Sequence, residues 1–582
     1  MKAYLMYADR DFRLTKAPEP GQKGVVPDLI QDLELDTLWD GMARGDEFLR
    51  QVAQSALLSS LTSIEEIRFR QQVVTDCIAQ PAIVREIYDL AVEAITAEHK
   101  VFRSIFSERG EALMRRSVEV IEMFVGMLRR LRQITEEHGD KFNSAGFQRF
   151  FAQLRAELDD PYFEEIEAHL KALRFREGVV LSARLGDGNR GVGYLLRSPK
   201  PENRGAWYNR TILKKPTYAF SIPDRDEAGF RALGELRDRG LNLVANALGH
   251  AADHVLSFFI ALRTELGFYV GALNLYEQLA AVEEPVCYPE PAPPEQLTLT
   301  ARELYDPCLA LRMNRKVVGN NLDADGKDLI IVTGANQGGK STFLRSLGLA
   351  HVMMQAGIFT AAQSLTSTVT LGVFTHYKRE EDATMSGGKF DEELARMSAI
   401  ADQIKPHCLL MCNESFAATN EREGSDIAAE VIRAMNDADI RVVFVTHMYD
   451  LSHRYEDEHT DKTLFLRADR GEGGQRSFRL QVAPPLPTSY GEDLYQRTFH
   501  PETGTGGQAA ADEMPPTAPS PGTDDAGSRM TEDSAETAAG VKEQPPMGVE
   551  AAAVGALPAD AAGTDDARAV ESSPIGPRHR QT

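Results

Sequence analysis

The sequence has few cysteines, and they form no recognisable motif. Five Cys residues are scattered over 582 positions. Cys408 and Cys412 lie in an apolar, strand-like run, where small buried hydrophobes are a better interpretation than metal ligands. An odd number of dispersed thiols fits a reducing compartment, and we expect a cytoplasmic protein.

Long apolar runs are also missing. No run approaches the ~20 consecutive apolar residues that a membrane-spanning helix needs. The first residues include Lys2 and Asp9, which leaves no room for the apolar centre of a signal peptide. The sequence therefore predicts no membrane partner.

Positive charge is scarce in the chain as a whole. Sixty-four Lys and Arg residues face 87 Asp and Glu residues, a formal net charge of −23. This balance argues against a protein that coats nucleic acid over its whole surface. A local basic patch remains compatible with it, because salt screens charge effects beyond ~8–10 Å.

Aromatic residues are absent from the C-terminal segment, residues 501–582. The segment contains no Phe, Trp or Tyr, and it has 14 acidic and 5 basic residues. Such a composition cannot bury enough apolar surface to offset the entropy lost on ordering. We predict a disordered acidic tail, and a solubilising role is a simpler interpretation than a specific interaction arm.

The rest of the chain is long enough for several domains. Helical spacing of apolar residues runs from about 30 to 175, and it returns from 228 to 279. Short strand-like pieces separated by Gly, Asn and Pro lie between them, and a Pro-rich stretch precedes alternating strands and helices. The predicted domains are an N-terminal segment (1–29), a helical domain (30–283) with a β-containing basic insert (about 176–223), a linker (284–296), an α/β domain (297–500) and the tail.

A phosphate-binding loop is the strongest motif. The apolar run LIIVT is followed at once by GANQGGKST, which fits the pattern G-x-x-x-x-G-K-[ST]. Glycines let such a loop wrap around a phosphate chain, and the helix after it points its positive dipole end at the same place. Lys340 is expected to reach the β- and γ-phosphates, and Ser341 to bind Mg²⁺. The predicted nucleotide-binding residues are Gly334, Ala335, Asn336, Gln337, Gly338, Gly339, Lys340, Ser341 and Thr342.

A second element, LLMCNES, describes a buried strand that ends in Asn413 and Glu414. The usual pair at this place is Asp-Glu, in which Asp holds the metal shell. Asn413 can still contact a metal-bound water, but it brings no negative charge, so weaker metal retention is expected. Glu414 is the candidate base that polarises the attacking water. The alternative for Glu414 is a first-turn or capping carboxylate of the following helix.

A third element, RVVFVTH, is another apolar strand that ends in a polar pair. Ligands of open α/β sheets bind at the carboxyl ends of such strands. His447 is therefore a candidate for contact with the γ-phosphate or the attacking water. The alternative is a structural histidine.

Together these segments resemble the MutS family of mismatch-repair ATPases. GANQGGKST is similar to that family's TGPNMGGKST loop, including Asn336 and the double glycine. Further ordered likenesses are ELYDPCL with VVGNNL, KFDEEL, NESFAATNEREG, VTHMYDL and TSYG. Upstream, LSSLTSIEEIRFRQQVVTDCI resembles the start of the family's helical lever domain. The resemblance implies a multidomain protein with an N-terminal α-helical lever domain and an α/β P-loop (ABC/MutS-type) ATPase domain.

The departures from the family are also informative. The chain begins almost directly with the lever-like segment, which leaves no room for a mismatch-reading domain, and the Asn413 exchange is atypical. The chain is therefore more similar to MutS-related ATPases without mismatch recognition. The resemblance also implies a homodimer in which Ser386, Gly387 and Gly388 of one subunit reach the γ-phosphate held by the other. A surface turn is the competing interpretation of these residues.

A basic segment lies between the two helical stretches. From Arg184 to Lys215 there are eight basic residues and two acidic ones, with Tyr194, Trp207 and Tyr208 among them. A phosphate-backbone contact is plausible, whereas no base-reading pattern is evident. A solvated, charged hairpin is the alternative. The candidate contact residues are Arg190, Arg197, Lys200, Arg204, Arg210, Lys214 and Lys215.

The leading functional hypothesis is an ATPase that uses ATP and Mg²⁺ to open and close a clamp on DNA or structured nucleic acid, RNA included. One alternative is a nucleotide-gated scaffold with little turnover, because Asn413 is neutral. Another is an ATPase that acts on a protein or ribosomal partner. No nuclease motif is apparent.

Overall fold

The computed structural model describes most of the chain before residue 487. The described residues are 1–16, 18, 22–101, 110–175, 178–197, 219–335, 337–379, 388–458, 461–470 and 476–486. The predicted disordered tail lies outside them.

The N-terminal region is helical, as predicted. Good N-caps begin several of its helices, for example Asp46 and Ser63, whose side chains accept hydrogen bonds from first-turn N–H groups. The helices are α1 (Val25–Asp32), α2 (Leu35–Ala43), α3 (Glu47–Leu58), α4 (Ile64–Ala79), α5 (Pro81–Lys100), α6 (Gly110–His138), α7 (Ala145–Glu157), α8 (Asp160–Leu173) and α9 (Glu227–Ala281).

Helix α9 spans 55 residues and packs along α5 and α6. By length and composition, one part of α9 could cross a membrane: an 18-residue window has a mean hydropathy of 1.4. However, 67% of that window is buried inside this protein. The apolar residues of α9 are thus explained by its packing in the core of this protein.

A β-hairpin precedes α9. Strands β1 (Val180–Leu185) and β2 (Gly191–Arg197) pair antiparallel. Leu181 of β1 lies directly against Gly240 of α9, where a larger side chain would overlap it. Residues 217–223 (TYAFSIP) are a third strand-like piece of the sequence between the helical stretches, but their described part, 219–223, forms no strand, and Phe220 is exposed. A strand is stable only when a neighbour pairs with it, and none does so here among the described residues.

The C-terminal region alternates strands and helices, also as predicted. Its strands are β3 (Glu290–Ala292), β4 (Leu299–Leu304), β5 (Asn320–Asp323), β6 (Leu329–Thr333), β7 (Ser364–Thr368), β8 (Val373–Tyr377), β9 (Leu409–Asn413), β10 (Arg441–Val445), β11 (Thr463–Arg470) and β12 (Arg476–Val482). Its helices are α10 (Pro307–Met313), α11 (Lys340–Ala356), α12 (Lys389–Ala401), α13 (Glu421–Asp437) and α14 (Tyr449–Asp457).

Two sheets organise this region. The larger has the order β12-β11-β6-β10-β9-β8, in which every neighbouring pair is parallel except β11 and β12. The smaller has the order β3-β7-β4-β5. The Pro-rich stretch predicted as a linker contributes β3 to this second sheet, where β3 pairs parallel with β7. A sheet edge tolerates prolines, because one side of an edge strand donates no hydrogen bond.

The strands of the larger sheet bury both faces. Ile330, Val332 and Met411 belong to a core that continues through α11 into the N-terminal helices. Ile331, Leu410 and neighbouring side chains pack on the other face with α12, α13 and α14. Alternation along each strand produces this division, since successive side chains point to opposite faces. The larger sheet and the helical region therefore share one hydrophobic core.

An N-terminal strap, residues 1–16, is inserted into the helical region. The buried carboxylate of Glu265 on α9 accepts hydrogen bonds from the N–H groups of Leu5 (2.5 Å), Met6 (3.2 Å) and Phe12 (3.4 Å). Arg70 of α4, also fully buried, donates from Nε to the carbonyl of Met6 at 2.9 Å. The strap thus contacts a buried guanidinium and a buried carboxyl group through its peptide groups, which supply hydrogen-bond partners to both.

Candidate functional site

Three neighbouring strands end at one edge of the larger sheet. Strands β6, β10 and β9 are adjacent and parallel, so their carboxyl ends meet. The glycine-rich loop follows β6, Asn413 and Glu414 end β9, and His447 follows β10. Local sequence patterns predict these three elements on separate strands. The order of the strands in the sheet brings them together at one edge.

The glycine-rich loop depends on its glycines. Gly334 and Gly339 have φ angles of +110° and +90°, which disfavour any side chain. A Cβ on Gly338 would lie 2.8 Å from Cβ of Ala468 and 2.9 Å from the carbonyl oxygen of Ala335. At these glycine positions the loop therefore has no room for a side chain. Asn336 lies outside the described residues.

Lys340 is the first residue of α11, and its side chain is buried. Its ammonium donates to the carbonyl oxygens of Gly334 (2.8 Å) and Ala335 (3.1 Å). Burial lowers the pKa of Lys340, the carboxylate of Glu414 raises it, and the charge of Arg476 lowers it. The ammonium is thus folded back over the loop, within the electrostatic reach of Glu414.

Ser341 and Asn413 join the loop to β9. The Ser341 hydroxyl donates to Oδ1 of Asn413 at 3.0 Å. Both are oxygen groups of the kind that hold Mg²⁺ or its bound waters. Thr342, the next residue of α11, is partly buried.

Glu414 and His447 face each other across β9 and β10. Glu414 has a φ of +54°, and its N–H donates to the carbonyl of Val445 at 2.9 Å. Nδ1 of His447 lies 3.9 Å from Oε1 of Glu414. The side chains are 39% and 30% exposed for His447 and Glu414, so solvent reaches both. A strained backbone fixed by a neighbouring strand is one way in which functional residues are held in place.

The residues present fit a nucleoside triphosphate with a magnesium ion. The loop is narrow enough to exclude a Cβ, Lys340 supplies a cation, and Ser341 with Asn413 supplies neutral oxygen donors. Over the part of the chain that the structure describes, no group of three or more His, Cys, Asp or Glu side chains could hold a metal by itself. A metal at this edge would therefore need the phosphates as additional ligands. Cys408 and Cys412 are buried and free, which confirms their interpretation as hydrophobes.

The predicted intersubunit residues are only partly described. Gly388 precedes α12 at its N-cap, whereas Ser386 and Gly387 lie outside the described residues. Arg379 after β8 and Arg396 on α12 flank this stretch in sequence. Nη2 of Arg379 lies 2.7 Å from Oδ1 of Asp32, and Arg396 Nε donates to Asp28 at 2.9 Å. Both flanks of the stretch are thus tied to α1.

Burial and charge act against each other in this ion-pair cluster. Burial raises the pKa of the Asp32 carboxyl to about 6, and the nearby Arg379 guanidinium counteracts the effect. Burying a carboxylate lowers the free energy of unfolding unless the carboxylate is paired with a cation. Removing Arg379 would therefore destabilise the packing of α1.

Helix α11 links the loop to the helical region. Arg345 of α11 donates from Nε to Asp306 Oδ2 at 2.6 Å, and it also pairs with Glu34. At the other end of α11, Arg70 donates from Nη1 to the carbonyl of Ala356 at 3.1 Å. The helix that begins at the candidate nucleotide site therefore ends on the arginine that holds the strap.

Two of the predicted nucleic-acid contact residues are described. Arg190 and Arg197 lie exposed on the β1–β2 hairpin, and Arg197 donates from Nε to Ser182 at 2.9 Å. Lys200, Arg204, Arg210, Lys214 and Lys215 lie outside the described residues. The hairpin is far along the chain from the loop, and α9 connects the two regions.

One residue at the site could not be predicted from local sequence patterns. Arg476, the first residue of β12, donates a hydrogen bond from Nη1 to the side-chain oxygen of Gln337 in the loop. It carries no motif, and its position depends on a strand pairing between residues that local periodicity does not connect.

Comparison with protein families gives two matches that together cover most of the described chain. Residues 62–282 match the family described as "MutS2 N-terminal domain". Residues 330–503 match the family described as "MutS domain V". The first range covers most of the helical region, and the second contains the loop, Asn413, Glu414 and His447.

Curated proteins are similar over part of the chain. A DNA mismatch repair protein MutS of Chloroflexus aurantiacus is 26% identical over 234 residues, covering 37% of this chain and 24% of that protein. One of Methanosarcina mazei is 28% identical over 228 residues, covering 38% and 25%. One of Porphyromonas gingivalis is 31% identical over 177 residues, covering 28% and 20%. The matched part of the chain thus spans about a quarter or less of these relatives.

Proposed function

The chain belongs to the MutS family, and from this we propose that it binds and hydrolyses ATP and couples its nucleotide state to clamping of DNA or structured nucleic acid. Mismatch specificity is not part of the proposal, because the similarity to the mismatch-repair relatives covers about a quarter or less of their length. The observation that carries the proposal is the convergence of the glycine-rich loop, Asn413, Glu414 and His447 at one sheet edge.

In the proposed reaction, the loop binds the triphosphate through its backbone N–H groups, and Lys340 leaves the carbonyls of Gly334 and Ala335 for the phosphates. Magnesium, when bound, supplies positive charge that stabilises the developing negative charge on phosphoryl oxygens. Ser341 and Asn413 would hold its coordination shell. Strands and a helix hold the backbones of these residues in place, which limits the reorganisation that electrostatic catalysis needs.

Glu414 orients and polarises the attacking water in this proposal. Its backbone is fixed to Val445, so the carboxylate is held beside the loop before nucleotide arrives. His447 lies within 3.9 Å of that carboxylate and is placed to contact the water or the terminal phosphate. General base catalysis of this kind typically contributes ~10²–10⁴-fold.

Coupling to the helical region would run along α11. Its first residue, Lys340, is at the phosphates, Arg345 is paired with Glu34 and Asp306, and Ala356 contacts Arg70. Because the sheet and the N-terminal helices share one core, a shift of α11 must be accommodated by the helices. Helix α9 extends this path to the β1–β2 hairpin, the proposed contact region for nucleic acid.

Assembly into a homodimer is a further part of the proposal. The support is the glycine at the N-cap of α12 and the ion pairs that fix both flanks of the preceding stretch to α1. In such a dimer, Ser386, Gly387 and Gly388 would reach the partner's terminal phosphate. Sedimentation analysis with ATP, ADP and no nucleotide tests this directly.

The clamp is tested by ATPase assays with single-stranded, duplex and branched DNA and with RNA, together with binding at several salt concentrations. We expect stimulation by at least one ligand. Reversing the charges of Arg190 and Arg197 should weaken binding and flatten its salt dependence, because each phosphate contact contributes to the slope. Reversing the exposed Arg422 on α13 serves as the matched control. ATPase activity unchanged by every ligand, with no retention at low salt, would contradict the clamp.

A nucleotide-gated scaffold with little turnover is the second candidate. It is favoured by one observation, the neutral Asn413 beside Ser341. Phosphate release by the parent protein and by Glu414→Gln separates the two candidates, since equal near-zero rates support the scaffold. If the partner recovered from cells resists nuclease treatment, an ATPase acting on a protein partner is supported instead.

A further inference from the structure

We infer that Arg476 is a phosphate-binding residue of the nucleotide site and that it recognises the terminal phosphate of a nucleoside triphosphate. This inference rests on the proposed nucleotide binding and adds a residue that lies outside every predicted motif. Three observations carry it: sheet topology, a contact with the loop, and the charge balance of the site.

Sheet topology places Arg476 at the phosphate edge. Strand β11 runs parallel to β6, with Arg467 opposite Thr333, so β11 leaves the sheet at the same edge as the glycine-rich loop. Strand β12 is antiparallel to β11, with Arg476 opposite Arg470. The first residue of β12 therefore lies at the same edge of the sheet as the carboxyl ends of β6, β9 and β10.

The hairpin formed by β11 and β12 covers the outer side of the loop at close range. A Cβ on Gly334 would lie 2.9 Å from the backbone nitrogen of Ala468, and one on Gly339 would lie 3.2 Å from the carbonyl oxygen of Phe478. That carbonyl is itself fixed, because Asn320 donates to it at 3.3 Å. The hairpin is consequently a rigid support from which Arg476 reaches the loop.

The guanidinium contacts a neutral group. Arg476 donates to the amide oxygen of Gln337, and among the described residues no carboxylate forms an ion pair with it. Asp469 on the hairpin accepts a hydrogen bond from Ser477 at 2.9 Å. A guanidinium in contact with a neutral group at the loop is suited to binding a phosphate, which it can contact in bidentate form.

The charge balance of the site calls for another cation. Asn413 occupies the place of a carboxylate, which weakens the hold on magnesium, so more of the phosphate charge must be met by side chains. Lys340 is one such cation, and the charge of Arg476 is close enough to lower its pKa. An anion between Lys340 and Arg476 would relieve the repulsion between the two cations. Because the terminal phosphate supplies this anion, a triphosphate should bind more tightly than a diphosphate.

The test is equilibrium binding of ATP and of ADP, with magnesium and with EDTA, to the parent protein, Arg476→Gln, Arg476→Lys and Gln337→Ala. We expect Arg476→Gln to weaken ATP binding about tenfold or more and ADP binding by less than about threefold, as the loss of one charge-assisted contact predicts. The ATP deficit should be larger in EDTA. Arg476→Lys should keep part of the preference for ATP.

Gln337→Ala is the matched control, because it removes the observed hydrogen bond without removing the cation. If both Gln337→Ala and Arg476→Gln weaken the binding of ATP and the binding of ADP by the same factor, Arg476 only shapes the loop, and the inference is overturned. It is likewise overturned if Arg476→Gln binds both nucleotides as the parent does. Failure of the proposed function looks different: the parent then binds no ATP, or Lys340→Ala binds it as tightly as the parent.

Discussion

The hydroxyl of Ser341 donates a hydrogen bond of 3.0 Å to the side-chain oxygen of Asn413, although 72 positions separate the two residues. The contact joins the first turn of α11 to the end of β9. An aspartate at position 413 would place a negative charge at the same point. The neutral amide therefore sets how strongly this site depends on a divalent cation.

Asn413→Asp should reduce the magnesium concentration needed for ATP binding. The added carboxylate attracts the cation directly, and we expect the half-saturating Mg²⁺ concentration to fall about tenfold, corresponding to ~1.4 kcal/mol. Titration of magnesium at fixed ATP measures it. An unchanged magnesium requirement would show that Asn413 does not face the cation.

Gly338→Ala should abolish nucleotide binding while the protein stays folded. The added methyl group would meet Cβ of Ala468 at 2.8 Å and the backbone oxygen of Ala335 at 2.9 Å, so the loop or the hairpin must move. We expect ATP affinity to fall at least ~100-fold, because loop geometry determines the N–H donors. Gly249→Ala on α9, where nothing lies within 4 Å, is the control. Normal ATP binding by Gly338→Ala would contradict the close fit.

Glu265→Ala should release the strap. Three backbone N–H groups, those of Leu5, Met6 and Phe12, lose their buried acceptor. Leaving buried donors unsatisfied costs ~1–3 kcal/mol each. Hydrogen exchange should therefore accelerate at Leu5 and Met6, and the melting temperature should fall. Replacing the exposed Glu235 of the same helix with Ala should change neither the hydrogen exchange nor the melting temperature. If the amide of Leu5 stays protected from exchange in Glu265→Ala, Glu265 does not hold the strap.

His351 should make the protein sensitive to acid. Burial lowers the pKa of its imidazole from 6.5 to about 4, and its nitrogens contact Leu347 O (2.9 Å) and Ser367 Oγ (3.0 Å). The unfolded chain takes up this proton as pH falls through 6.5, whereas the folded protein does so only near pH 4. Stability present above pH 6.5 is thus lost between these values, by ~2 kcal/mol at pH 5.

The comparison of His351→Gln with the parent at pH 7 and pH 5 checks this expectation. The variant should lose less thermal stability on acidification, since its side chain does not titrate. His169→Gln, which changes an exposed histidine on α8, should lose as much thermal stability between pH 7 and pH 5 as the parent does. An identical pH dependence for His351→Gln would show that His351 takes up its proton at the same pH whether folded or unfolded.

Sequence reasoning predicts the site best where spacing is local. The strand–loop–helix at residues 329–356 follows from an apolar run, fixed glycines and a helical pattern, and the structure has β6 and α11 at those positions. Asn413 and Glu414 also follow from a strand that ends in polar residues. Their contacts with Ser341 and His447 required the order of strands in the sheet, which no local pattern specifies.

The strap and Arg476 show why other parts could not be predicted. Leu5 and Met6 are fully buried, but a short extended segment has no helical or alternating pattern that would reveal its burial. Arg476 depends on the antiparallel return of β12 over the loop. The Pro-rich residues 284–296 have the composition of a linker, although β3 within them pairs with β7. In each case the partner is distant in sequence.

The proposed ATPase activity depends most directly on the binding of a triphosphate by the loop beside Glu414. Binding and single-turnover hydrolysis of ATP by the parent, Lys340→Ala and Glu414→Gln test this together. We predict that Lys340→Ala loses ATP affinity by ~100-fold or more, and that Glu414→Gln still binds ATP but releases phosphate at least ~100-fold more slowly than the parent. If Lys340→Ala binds ATP as tightly as the parent does, the loop is not the triphosphate-binding site.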